Sequence, residues 1–459
     1  MKTVNLFTLI YLAILFSPNY HAFGLNGGVN CAACTCVVAL LEQLSVIHND
    51  TVINSLEKLC GYFPSTFKNI CNDFAVVFGP ELINNIWHQN SDLDNKWRQR
   101  NNFIVKIDQS HTSLDADICK LPVYSVAMTQ ALIQTMTDSV YIRPIDNDVE
   151  EDSNCNGIKG KDPSTGKAYE DIFCSQSQMR GVVVLGDSVS AHFHLPREWF
   201  NTSEFSKAVF KQLPFVLENE FDWPEMSYAT GFMNNTYTNI NHGPMESVYN
   251  KLYKRNHCNH RDYQNIAVNG ARSSSMADTI VKSLYRNITT DYPLIIFLAL
   301  IGNDVCNGHP DTFAHMTTPE EMRNNTLRTL NYLDTTLPKG SHVFLVGLAD
   351  GRTLYNSLHN RIHPLGSLRN DITYTDFYDY LNCLERANQL SAVLKDIGNK
   401  QAKSFKNFNL YFADNPLAQA LTAEVVWSNL VTQYPDVIGP VNTNNDKIRE
   451  IFGDQGGYI

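Results

Sequence analysis

The sequence predicts an α/β protein in which a doubly wound parallel sheet follows a small, all-helical, cysteine-laced module. Two observations predict the sheet. From Gln178 onward strand-like and helix-like text alternates, and the run Val182-Val183-Val184-Leu185 is continuously apolar, as a strand buried on both faces is. A third observation sets the module apart: near the N-terminus, cysteines punctuate segments whose apolar residues recur at the helical period.

In chain order, residues 1–24, "MKTVNLFTLIYLAILFSPNYHAFG", join one lysine, an apolar stretch and a small-residue exit at Ala22 and Gly24. This is the pattern of a secretory signal. No later apolar run approaches the ~18 residues of a membrane span, so the mature chain is expected to be soluble, in an extracellular or lysosomal compartment. Asn-x-Ser/Thr acceptors at Asn49, Asn201, Asn234, Asn287 and Asn324 agree with that route. The eleven cysteines should mostly be paired in such a compartment, and an odd count leaves at least one free or bonded to another chain. With 459 residues, 43% of them hydrophobic, the chain is long enough for more than one domain. A net charge of -11 argues against binding nucleic acid or anionic membranes by net attraction.

Residues 30–120 open with "CAACTCVVALLEQL", where Val37, Val38, Leu40, Leu41 and Leu44 share a helical face, and continue in "TVINSLEKLCGYF" and "ICNDFAVVFGPELINNIW". Cys60 and Cys71 bracket a turn containing Pro64. The pattern of Cys31, Cys34, Cys60 and Cys71 resembles a saposin-type lipid-binding fold, and a generic helical pro-segment is the alternative. A saposin closes with a late cysteine pair. Here only Cys119 remains, with Cys36 as an extra, so the third disulfide is left open.

Residues 137–174 form an acidic linker in which Asp152, Asn154 and Asn156 alternate before Gly157. Oxygen donors on alternate residues can wrap one hard cation, and the glycine permits the turn that brings the Ile158 carbonyl inward. Calcium is therefore expected, with Asp146, Asp148, Asp162 and Glu170 as further donors. The twelfth loop position is Pro163 where an EF-hand has glutamate, and a solvated acidic linker is the competing reading.

Residues 178–459 supply five strand candidates, "GVVVLG", "YQNIAV", "PLIIFLALIG", "SHVFLVGL" and "FNLYF". The best-marked helix follows Thr318, with Pro319 in its first position and Glu321 completing a capping box. Three strand ends carry chemistry. Ser188 follows "GVVVLGD", the place where open α/β sheets gather their ligands, although Gly-Asp-Ser alone is also an ordinary turn. "NIAVNG" ends at Gly270, where backbone can approach a substrate, and "FLALIGND" ends with Asn303, a neutral donor suited to an oxyanion.

These motifs, Gly-Asp-Ser, Asn-Gly and Gly-Asn-Asp in that order, resemble the GDSL, or SGNH, hydrolases. The resemblance implies a flavodoxin-like three-layer fold, Ser188 as nucleophile, and Gly270 and Asn303 as oxyanion donors. "RGVVVLGDSVSAHFH", "KRNHCNHRDYQNIAVNGARSSS", "IGNDVCNG", "HNRIHPLG" and "FGDQGG" further resemble the acyloxyacyl hydrolase family. That family joins a saposin-like module, a calcium-binding stretch and a GDSL domain. The likeness implies removal of secondary fatty acyl chains from lipopolysaccharide lipid A, and cleavage into two disulfide-linked subunits.

A serine nucleophile needs a base, which GDSL enzymes take from a C-terminal Asp-x-x-His. This chain has no histidine after His363 and reads "NLYFADNPLAQALTAEVVW" across the corresponding region. The candidate substitutes are His192 and His194 beside the nucleophile, and His359 and His363, the first to test. Three functions therefore stay open: an acyloxyacyl-type lipid ester hydrolase, a lipid-binding variant without turnover, and a general phospholipase or acyltransferase.

Overall fold

The computed structural model describes residues 40–72 and 152–456 apart from interruptions, the longest of them 236–242, 306–311, 376–383 and 414–421. The leader, the sequon at Asn49, the cysteines 31, 34, 36, 119, 155, 306 and 383, and the donors Asp146 and Asp148 lie outside the described residues.

In the first segment helix α1 (Val52–Tyr62) carries Cys60, which is disulfide-bonded to Cys71. Leu41, Leu56 and Cys60 are buried together, with Leu59 packed beside them. Helix α2 (Tyr169–Cys174) follows the acidic loop and ends in a disulfide to Cys258 that spans 84 positions of sequence. The sequence alone left this pairing open.

Five parallel strands form the sheet: β1 (Gly181–Gly186), β2 (Tyr263–Asn265), β3 (Leu294–Ala299), β4 (Ser341–Val346) and β5 (Phe408–Ala413). Their spatial order is β2-β1-β3-β4-β5, the doubly wound arrangement of flavodoxin-like folds. Each expected apolar run forms its strand. The run at 263–268 is the shortest, yet Ile266 and Val268 still donate to Val184 and Gly186 of β1.

Strand alternation sorts the apolar residues onto two faces. Val183, Leu185, Ile296, Leu298, Val343 and Leu345 face one core, which is closed by Met276 of α4 (Ser273–Asp278), Leu330 and Leu333 of α5 (Pro319–Thr336), and Leu390 and Ile397 of α6 (Leu384–Gln401). Val182, Val184, Ile295, Phe297 and Phe344 face the other, against Val248, Tyr249 and Leu252 of α3 (Val248–Arg255) and Leu430 of α7 (Thr422–Gln433). Burial on both faces is why these strands read as continuous apolar runs. Helix α5 starts with the expected capping box, Thr318 and Glu321 each bonding the other's backbone N–H. Helix α8 (Asn445–Phe452) packs Ile448 beside the Cys174–Cys258 disulfide.

The N-terminal segment docks on the α/β domain. Leu44 shares a cluster with Phe205 and Phe210, against which Leu40, Leu59, Tyr62 and Phe63 pack. Phe63 meets Phe210 edge-on with ring centroids 4.9 Å apart. Inside this contact Gln43 is buried and bonded at both ends of its amide, donating to the Leu365 carbonyl at 2.6 Å and accepting from the Thr202 hydroxyl at 3.0 Å. A buried amide without such partners would oppose docking, so the pair of bonds fixes the register of the contact.

Candidate active site

Ser188 sits just past the carboxyl end of β1, on a turn held by its neighbours. The N–H groups of Ser190 and Ala191 donate to the Asp187 carbonyl, and that of Phe193 donates to the Ser188 carbonyl at 2.8 Å. A side chain at Gly186 would strike Ser190, so the turn requires glycine there. The Asp187 carboxylate accepts the Val189 N–H at 3.1 Å and also the Gly302 N–H, tying the nucleophile turn to the end of β3. Burial pushes Asp187 up to about 6, with nearby Asp304 adding to the rise.

The other two strand ends converge on the same edge. Val268 bonds Gly186, so the turn at Asn269–Gly270 lies beside the nucleophile turn. Gly270 has φ of 78°, in the left-handed region, and a Cβ there would meet nothing within 4 Å; conformation, not space, calls for glycine. Asn303 opens the short helix Gly302–Val305 and donates one amide hydrogen to the Ala271 carbonyl at 3.1 Å. Its second amide hydrogen has no partner among the described residues.

Beneath Asn303, Asp304 is wholly buried. It accepts the Ser273 N–H at 3.1 and 2.9 Å, the Ser273 hydroxyl at 2.7 Å and the Thr317 hydroxyl at 2.7 Å. Asp304 thereby locks the start of α4 and the approach to α5 to the Gly302–Val305 turn. The signal for it was present in Gly-Asn-Asp, but nothing local says that the carboxylate turns inward while the amide beside it turns out.

Ser188 Oγ has no hydrogen bond among the described residues, to a histidine or otherwise. His359 donates from Nδ1 to the Tyr355 carbonyl at 2.9 Å and stacks on the Tyr355 ring, so its Nε2 carries the lone pair. His363 has the opposite tautomer: its Nδ1 accepts the Leu365 N–H at 3.2 Å, and burial pushes its pKa down to about 4. His192 is likewise pushed down to about 4 by burial, with His194 adding to the fall. His194 Nε2 is buried without a hydrogen-bond partner among the described residues.

Two families of known proteins match this chain. The saposin-like domain family matches residues 30–97, and the GDSL-like lipase/acylhydrolase family matches residues 182–437. The chain is 36% identical to the acyloxyacyl hydrolase of Homo sapiens, covering all of this chain and 99% of that protein. It is also 36% identical to the acyloxyacyl hydrolase of Oryctolagus cuniculus over 93% of each, and 34% identical to that of Mus musculus over all of this chain and 99% of that protein.

The chain belongs to the acyloxyacyl hydrolase family.

That membership makes it a carboxylic ester hydrolase acting on lipid esters. The alignment with the human acyloxyacyl hydrolase runs over 576 positions, whereas this chain has 459 residues, so its relative carries stretches that it lacks. The region after β5, where the GDSL pattern places Asp-x-x-His, begins at position 414, outside the described residues.

The acidic loop is folded away from Ser188, against α2 and α8. Asn154 and Asn156 each donate to the same Glu170 carboxylate oxygen at 2.6 Å. Asp152 Oδ2 accepts the Gly157 N–H at 2.8 Å, while its Oδ1 is buried without a hydrogen-bond partner among the described residues. Asn154 and Asn156 turn their side-chain oxygens onto the N–H groups of Asn156 and Ile158. The structure thus brings together Asp152, Asn154, Asn156 and Glu170, a hard-oxygen set that fits a divalent cation. It does not bring in Asp162, whose carboxylate is held below its ordinary range by Ser164 and Thr165 of its own turn. Among the described residues no three His, Cys, Asp or Glu side chains cluster as ligands, so amides must supply part of any coordination.

Proposed function

We propose that this chain removes secondary fatty acyl chains from the lipid A of lipopolysaccharide through an acyl-enzyme on Ser188. The observation that carries the reading is the convergence of Ser188, Gly270 and Asn303 on the carboxyl ends of three adjacent strands. Ser188 Oγ attacks the ester carbonyl while the Gly270 N–H and the Asn303 amide receive the oxyanion. Collapse releases the lipid A hydroxyl, which takes up a proton, and water then frees the fatty acid. Between the two substitute bases His359 is favoured, because only its tautomer offers a lone pair at Nε2.

The cation set of Asp152, Asn154, Asn156, Glu170 and the Ile158 carbonyl is assigned to calcium. Calcium there would stabilise the fold and take no part in ester cleavage. The leader and sequons support a secretory route to an extracellular or lysosomal compartment, and among the described residues no helix is long and apolar enough to cross a membrane. Lipid is met by a surface of the saposin-like module other than its Leu40, Leu44, Tyr62 and Phe63 face, which the hydrolase domain covers.

The test is chain-length analysis of fatty acids released from lipopolysaccharide and from phosphatidylcholine by wild type and Ser188→Ala. Release from lipopolysaccharide alone, lost in Ser188→Ala, is expected; equal release from both lipids would favour a general phospholipase or acyltransferase. A second reading, a lipid-binding member without turnover, is favoured by the absence of any histidine after His363. It predicts slow labelling of Ser188 by a fluorophosphonate and no release from either lipid.

A further inference from the structure

We infer that the C-terminal Phe452–Gly456 segment is a clasp that sets the shape of the acidic loop, with Gln455 as the positioning residue. Two stretches that ester chemistry does not use, "HCNHRD" and "FGDQGG", meet at this point. Gln455 is 2% exposed and donates from one amide nitrogen to the Asn156 carbonyl at 2.6 Å and to the His257 carbonyl at 3.1 Å. Its amide oxygen accepts the Tyr253 hydroxyl at 3.1 Å. His260 donates from Nδ1 to the same Asn156 carbonyl at 3.1 Å. The last asparagine of the Asp-x-Asn-x-Asn-Gly run, Asn156, therefore has its carbonyl pinned by two side chains, one from the C-terminal segment and one from the turn before β2.

The fit leaves no slack. Gly157 has φ of 79°, and a Cβ there would strike the Gln455 backbone, so the terminus packs directly on the loop at this glycine. Gln455 itself is left-handed at φ 57°, between Gly453 and Gly456, which are left-handed too. The tail is held in turn: Arg261 donates to the Gly456 carbonyl at 2.9 Å, and the Cys174–Cys258 disulfide and Ile448 pack beside Ile158. The loop's own bonds, from the N–H groups of Asn156, Gly157 and Ile158 to the side chains of Asn154, Asp152 and Asn156, close its short turns, and the terminus and the His257–Arg261 turn fix where those turns sit. The consequence for the cation rests on the calcium reading above: Gln455 touches none of the proposed ligands' side chains, yet it presets their spacing, and binding to a preset loop costs less ordering.

The experiment follows amide exchange of the 152–160 peptide by mass spectrometry, and calcium binding by titration calorimetry, in wild type, Gln455→Ala and Tyr253→Phe. Tyr253→Phe keeps the ring stacked on His257, 4.8 Å between centroids, and removes only the hydroxyl to Gln455. Exchange in the loop should quicken on the order of tenfold in Gln455→Ala and less in Tyr253→Phe, as expected for losing buried hydrogen bonds. The calcium Kd should rise by a similar factor. Loop exchange that stays at the wild-type rate in a folded Gln455→Ala overturns the clasp. Should that variant not fold, an unchanged rate in Tyr253→Phe overturns it instead. Faster loop exchange in a protein that shows no calcium binding at all would uphold the clasp and remove calcium.

Discussion

Replacing Asp304 tests whether the oxyanion loop is held from below. In the native fold three donors, the Ser273 N–H, the Ser273 hydroxyl and the Thr317 hydroxyl, converge on this one buried carboxylate. Asp304→Asn keeps the shape but turns charge-assisted bonds, worth roughly 1.5–3 kcal/mol each, into neutral ones worth about 0.5–1.5 kcal/mol, and sets an amide donor against the Ser273 N–H. Burial pushes the Asp304 pKa up, so removing the charge recovers part of its desolvation cost. The net expectation is a loss of about 2 kcal/mol for Asn. Asp304→Ala should lose roughly 3–5 kcal/mol, since the backbone N–H cannot turn to another acceptor. Asn303 precedes this residue and bonds Ala271, so the oxyanion donors should separate and ester turnover fall by about 10²–10³, the usual cost of one such donor. Urea unfolding measures the first effect, and the rate of fluorophosphonate labelling of Ser188 relative to wild type measures the second. An Asp304→Asn protein with an unchanged midpoint and an unchanged labelling rate would refute the bracing role.

Three further outcomes are expected. Asp187 rises from an ordinary 3.8 to about 6 on burial, so between those values the native state holds more protons than the unfolded chain and stability falls as pH rises; roughly 3 kcal/mol should be lost across that window and most of the slope should vanish in Asp187→Asn, as read by thermal unfolding. Changing Cys174 and Cys258 together to serine opens a loop with a sequence separation of 84 and should cost about 4.5 kcal/mol by chain entropy; denaturant titration giving under about 1 kcal/mol would show that packing alone holds α2. His359→Ala should cut lipid ester hydrolysis to about 10³–10⁴-fold over water, the level left when a serine nucleophile loses its base, whereas unchanged hydrolysis in His359→Ala would show that His359 is not the base.

The doubly wound sheet was legible in the sequence because burial on both faces forces continuous apolar runs, and the local grammar of α5, Thr318 to Glu321, is complete within four residues. The placement of Ser188, Gly270 and Asn303 at strand ends was legible for a related reason. Each stands immediately after such a run, so finding the strands finds the site's edge. Asp304 and Asp187 were not, because a carboxylate in a turn looks the same in sequence whether it faces water or three buried donors; only the parallel pairing of β1 with β3 brings Asp187 to the Gly302 N–H. Nor could the sequence say that Gln43 would bond Leu365, 322 positions away, or that Gln455 would close a loop 299 positions earlier. Those contacts carry no periodicity, since each is one side chain meeting one carbonyl. The choice between His359 and His363 belongs to the same class: both are histidines in one loop, and the tautomer of each is set by the single backbone group its Nδ1 meets, the Tyr355 carbonyl or the Leu365 N–H, which the tertiary structure alone supplies.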